Sequence, residues 1–191
     1  AALPRGGAKA RVDFLTADDK EELLACYQRR AAQTNGLFDM PPHVLEYMFS
    51  DTNLHMVGVR QDGRLEGYLT YLFEKAHNNN FLLNNMVIRA LIYDNPAALS
   101  ELLAFVRSQD DQFDRVIYET QDDQFHYLLS DPRDGSGNLL MGLWHEANTQ
   151  GTGIMYRVID MDALFTELAG HDFGGQTCRL RLRLTDTFMP D

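Results

Sequence analysis

Cysteine is scarce in this sequence: its 191 residues hold two, Cys26 and Cys178, far apart along the chain. Two distant thiols make no disulfide framework, and they suit a reducing cytoplasm. Long apolar runs are missing too, and nothing approaches the roughly twenty residues that a membrane-spanning helix needs. The opening stretch, residues 1–9, lacks the apolar segment of a secretory signal and reads as a tag-like or disordered lead. Its start on small and basic residues without a Met is what a piece of a longer polypeptide would show. Positive charge is the third shortage. Seventeen Lys and Arg face 28 Asp and Glu, for a net charge of −11. Such a surface repels phosphate backbones and anionic membranes on average, so neither duplex nucleic acid nor a membrane is the expected partner.

What remains is the composition of a folded domain. Hydrophobic residues make up 45% and charged residues 24%, which excludes disorder and supplies a sizeable core. Residues 10–15 read as a short strand. Thr16 then caps a helix with Asp18 and Asp19 in its first turn and Leu23, Leu24, Tyr27 and Ala31 on one face, stopped by Asn35-Gly36. Pro41-Pro42 opens a second helix with Val44, Leu45, Met48 and Phe49. Asp62-Gly63, between apolar runs 54–60 and 65–74, predicts a tight hairpin because both turn residues must take positive φ. A third strand spans 81–92, and Asn95-Pro96 starts a helix with the stripe Leu99, Leu102, Leu103 and Val106.

Beyond that, the pattern predicts a short buried strand at 115–119, a small helix around Phe125, Leu128 and Leu129, a flexible loop at 133–138, and an apolar strand at 153–159. Asp160 caps a helix with Ala163, Leu164, Phe165 and Leu168. Residues 178–185 alternate as a strand, with Leu inward and Arg179, Arg181 and Arg183 outward. One helix and one strand bury little alone, so this tail reads as the start of another domain. The three arginines form a solvated or salt-bridged face, with an anion site the alternative.

Familiar catalytic and metal patterns are lacking. His43, His55, His77, His126, His145 and His171 form no H-E-x-x-H, and no metal is expected. Gly135-Ser136-Gly137 has Asp134 and Asn138 where a serine-hydrolase elbow needs glycine. Cys26 and Cys178 read as small hydrophobes, Asp110-Asp111 as a solvated helix end, and Asp122-Asp123 as the cap of the helix that follows. Tyr68 and Tyr71 fall on opposite faces of one strand, which allows one to be core and the other exposed.

The order of elements resembles the GNAT superfamily of N-acetyltransferases. Five stretches, YQRRAAQTNG at 27–36, GYLTYL at 67–72, LSELLAFVRSQDDQ at 99–112, GIMYRVIDMDAL at 153–164 and LRLTDTFMP at 182–190, resemble the enhanced intracellular survival (Eis)-like branch in particular. The resemblance implies a mixed α/β (α+β) fold, with a mostly antiparallel central sheet flanked by helices, followed by a helix and strand of a second domain. Residues 10–160 would be a second, degenerate GNAT domain, and 161–191 the beginning of a sterol-carrier-like domain. The parent would transfer acetyl from acetyl-CoA to an amine, an aminoglycoside in some members. Its catalytic domain would lie upstream as the principal partner, and oligomer contacts would be shared with further copies.

That resemblance supplies its own test. GNAT domains hold the cofactor's diphosphate on successive backbone amides of a Q/R-x-x-G-x-G/A turn ahead of a helix, where glycines permit close approach. The equivalent junction here, residues 92–98, has no glycine, a proline without an N–H at Pro96, and a carboxylate at Asp94. No cofactor-binding and no catalytic residue is therefore assigned to this chain, and its expected role is a scaffold that shapes an acceptor pocket. A self-standing interaction module and a divergent active acetyltransferase are the competing readings.

Overall fold

A computed structural model describes residues 12–34, 36–77, 80–153, 155–177, 179–183 and 185. Four antiparallel strands and one parallel strand form the central sheet, in the order β1-β2-β3-β4-β5. They are β1 Val12–Phe14, β2 His55–Gln61, β3 Arg64–His77, β4 Asn80–Tyr93 and β5 Phe113–Tyr118. β5 runs parallel to β4, from Asn84 opposite Phe113 to Ile88 opposite Tyr118. The expected hairpin joins β2 to β3: Asp62 and Gly63 take φ of 52° and 81°, which matches the twist of the flanking strands.

Thr16 caps the entry to the first helix, with Asp18 and Asp19 in the first turn, as the sequence predicts. Thr16 donates its amide to the Asp19 carboxylate at 2.6 Å, so the chain makes a 3₁₀ turn over Ala17–Asp19 before α1, Lys20–Ala31, begins. The far end tightens early. Gln33 and Thr34 donate to carbonyls three residues back, and α1 ends short of Asn35-Gly36. Pro42 opens α2, Pro42–Ser50, as expected.

Both faces of the sheet are covered, because adjacent strand residues point to opposite sides. Val57, Leu69, Met86 and Leu91 meet Leu99, Leu102, Leu103 and Val106 of α3, Pro96–Ser108. On the other face Met56, Tyr68 and Ile92 meet Leu23 and Cys26 of α1 and Leu45 of α2. Tyr68 and Tyr71 therefore lie on opposite faces, yet both are buried. Alternation allowed one of them to be exposed, but helices cover both sides.

β5 corrects an expectation. It pairs only with β4 among the described residues, and Val116 and Ile117 remain 44% and 38% exposed instead of buried. Phe125–Leu128 is a 3₁₀ turn whose N-cap is Gln124 in place of the expected Asp122-Asp123, and Asp122 Oδ1 accepts from the Gln124 amide at 2.9 Å in the turn ahead of it. The loop at 133–138 is knitted by local turns. Asp134 Oδ1 accepts from Ser136 N at 2.8 Å, and Asn138 Nδ2 donates to Glu146 at 2.8 Å. Two short strands absent from the sequence reading, β6 Leu139–Leu140 and β7 Trp144–His145, pair beside that loop.

The chain divides into two units, Ala1–Thr149 and Gln150–Asp191. In the second, Asp160 accepts from the Ala163 amide at 2.9 Å and starts α4, Met161–Glu167, as its sequence predicts. The described residues of 153–159 form no strand, nor do Arg179–Arg183, and none of these side chains is buried. Alternating apolar residues fix a strand only when another strand supplies hydrogen bonds, and the described part of this unit has none. Cys178 and Leu184 lie outside the described residues.

Candidate functional site: the junction of β4 and α3

The cofactor question turns on the seven residues that lead from β4 into α3. Asn95 is the N-cap of α3, its Oδ1 accepting from the Ala98 amide at 2.9 Å while its carbonyl accepts from Leu99 N at 3.2 Å. Asp94 donates its amide to the Glu66 carbonyl at 2.8 Å, and Pro96 has no amide to offer. The Asp94, Ala98 and Leu99 amides are therefore spent inside the protein.

Side chains close the site further. Asp94 Oδ2 accepts from Arg29 Nε at 2.8 Å and from Arg64 Nη2 at 3.0 Å, with Arg29 Nη2 at an ion-pair distance of 2.7 Å. Arg29 Nη2 also donates to the Leu65 carbonyl at 2.6 Å, which ties the last turn of α1 to the first residues of β3. Burial alone would raise the Asp94 pKa, but the hydrogen bonds and charges of Arg29 and Arg64 outweigh it and hold the carboxyl below its ordinary value. Asp94 is thus an anion at neutral pH. Glu66 stands beside it and accepts from Asn95 Nδ2 at 2.7 Å. Arg30 covers the Tyr93 ring, its guanidinium carbon 4.8 Å from the ring centre.

A diphosphate does not fit these residues. It would meet two carboxylates, Asp94 and Glu66, in place of free amides, and side chains in place of the glycines that allow close approach. The one nearby glycine, Gly67 of β3, is used for packing. A Cβ there would lie 3.0 Å from the Ile92 carbonyl and 3.2 Å from Leu102 Cδ1.

The pairing of β4 with β5 stops at Ile88 and Tyr118, although β4 continues to Tyr93. Beside this divergence Tyr93, Tyr118 and Phe125 pack against the α3-side core, with Tyr118 and Phe125 edge to face at 5.0 Å. Burial raises the pKa of Tyr118, Tyr68 and Tyr71 alike. The Tyr68 hydroxyl is enclosed without a hydrogen-bond partner. None of the three is poised to give up a proton near neutral pH.

The other residues singled out in the sequence stay apart from this junction. Burial, with Asp94 nearby, pushes the Cys26 thiol up to about 11, as befits a small core residue. His55 stacks on Tyr71 and meets Phe73 edge-on, while His126 packs on Tyr127 and His171 on Phe173. His43 lies in α2 and His145 in β7, and the His77 side chain lies outside what is described. Among the described residues no group of three or more His, Cys, Asp or Glu could hold a metal ion. No described helix is long and apolar enough to cross a membrane. Arg29, Arg64 and Glu66 escaped the sequence reading. Arg29 stands 65 residues from Asp94, and no local pattern announces such a pairing.

Comparison with known proteins places this geometry in a family. No curated protein matches the chain. The solved structure of a GCN5-related N-acetyltransferase from Anabaena variabilis aligns with a TM-score of 0.54 and 19% identity, over 64% of this chain and 32% of that one. A probable acetyltransferase aligns with a TM-score of 0.52 and 10% identity, over 78% of this chain and 99% of its own. A transcriptional regulator from Bacillus halodurans gives 0.50 and 12%, over 76% and 98%. At such identities the likeness is one of fold. The family model of the acetyltransferase (GNAT) domain, however, matches residues 41–158, well over half of the sequence, and the chain belongs to that family.

Proposed function

We propose that this chain is a non-catalytic GNAT domain, with the beginning of a following domain, from a longer Eis-like N-acetyltransferase of the cytoplasm. In this reading an upstream domain binds acetyl-CoA and acetylates an amine acceptor, an aminoglycoside-type substrate by resemblance. The present domain packs against that catalytic domain, shapes the acceptor pocket and carries oligomer contacts. The observation behind the reading is the head of α3, where Asp94, Asn95 and Pro96 replace a glycine turn and Arg29 and Arg64 are already engaged.

Titration calorimetry with acetyl-CoA tests the proposal directly. No heat of binding is expected up to millimolar cofactor. Saturable binding that is lost when residues 93–95 are replaced would overturn the non-catalytic role. The intact mass of the native gene product tests the other half, because a product no larger than 21.8 kDa would leave no upstream domain.

A further inference from the structure

We infer that Asp94 is a built-in substitute for the cofactor's diphosphate, its carboxylate closing the anion position at the head of α3 from within the chain. The inference rests on the reading of this domain as cofactor-free. Three observations carry it. The carboxylate belongs to the residue just ahead of the Asn95 cap, where the aligned peptide dipoles of α3 favour negative charge. A single oxygen, Oδ2, accepts from two arginines on separate elements, Arg29 Nε at 2.8 Å and Arg64 Nη2 at 3.0 Å, with Arg29 Nη2 at an ion-pair distance of 2.7 Å, as a phosphate oxygen would. And the side chain is only 14% exposed, so the arginines around it face an anion held largely out of water.

The arrangement also explains what the anion does. In a cofactor-binding domain, ligand and protein complete each other. Here Asp94 links α1, through Arg29, to β3, through Arg64, and the end of the sheet is complete without a ligand. Glu66 supports it by holding the Asn95 side chain at 2.7 Å. Remove the Asp94 charge, and Arg29 and Arg64 are left facing one another at a helix N-terminus. An added anion should then fill the place.

Chemical rescue tests this on the full chain. Asp94→Ala should lower the melting temperature by roughly 2–4 °C. Millimolar inorganic pyrophosphate should restore more than half of that loss, measured against sodium chloride of equal ionic strength. The unaltered chain should shift by less than about 1 °C under the same addition. The double variant Arg29→Gln/Asp94→Ala should lose the rescue. An Asp94→Ala variant that melts unchanged, one that pyrophosphate restores no better than chloride, or an unaltered chain that responds equally would each overturn the inference. Should Asp94→Ala fail to fold, the near-isosteric Asp94→Asn takes its place. If that too is unfolded, refolding promoted by pyrophosphate supports the inference and its failure ends it. Acetyl-CoA binding by the unaltered chain would sink the cofactor-free reading itself, whereas an unrescued Asp94→Ala would sink only the role given to this carboxylate.

Discussion

The helices α3 and α4 begin alike and end up very differently. Each has an Asx residue at its N-cap whose side chain accepts from the third helical amide at 2.9 Å, and each carries an apolar stripe. Yet α3 buries Ala98, Leu99, Leu102, Leu103 and Val106 against the sheet, while α4 buries nothing. A cap fixes where a helix starts at the cost of one local hydrogen bond. Whether the stripe then leaves water depends on a surface supplied from elsewhere in the protein.

The widest gap between the two helices should appear on truncating their stripes. Leu102→Ala, at a fully buried position, should cost about 3 kcal/mol in denaturant unfolding, and Leu164→Ala in α4 less than ~1 kcal/mol. A comparable loss at both sites would break the contrast. Gly67→Ala, which pushes a methyl against the Ile92 carbonyl and Leu102 beneath α3, should cost roughly 1–3 kcal/mol by the same measurement. Removing the caps separates start from burial: Asn95→Ala should lower global stability by about 1 kcal/mol, and Asp160→Ala should reduce helicity while moving the main transition by under ~0.5 kcal/mol.

A comparably small effect should come from acid. The folded-state pKa of Asp94 lies below that of the unfolded chain, so its contribution is intact above about pH 4 and lost as the pH falls through the folded value. With Arg64 largely exposed, that contribution should stay below ~1 kcal/mol, and melts of Asp94→Asn should lack this part of the acid dependence.

How much of this could be read beforehand follows the range of the forces involved. The Asp62-Gly63 hairpin, the Asn95-Pro96 start of α3 and the Asp160 cap are decided within four residues, and all three stand where the sequence puts them. Expectations that depended on a neighbour fared worse. Residues 115–119 look like a buried strand because they are apolar, but β5 has β4 on one side only. Residues 153–159 and 179–183 alternate or cluster like strands and find no ladder among the described residues. Tyr71 looked like a candidate for exposure only because nothing in its own strand reveals that α3 covers that face.

The candidate site divides in the same way. The lack of glycine and the presence of Asp94 and Pro96 are plain in seven residues. The two arginines that neutralise Asp94 are not, because they arrive from Arg29 and Arg64 through the tertiary fold.

The lone parallel pairing in the described sheet carries a consequence for how the chain assembles. Each of the contacts from β1 to β4 is antiparallel, and β2 meets β3 across a two-residue turn. Phe113 reaches Asn84 only after α3 has crossed over and returned. Closing that loop comes at a greater entropic cost than closing the hairpin, so β5 should join after β2 and β3 have paired. In pulsed hydrogen exchange its amides should gain protection after those of β2 and β3, and simultaneous protection would show that the crossover is already in place when the hairpin forms.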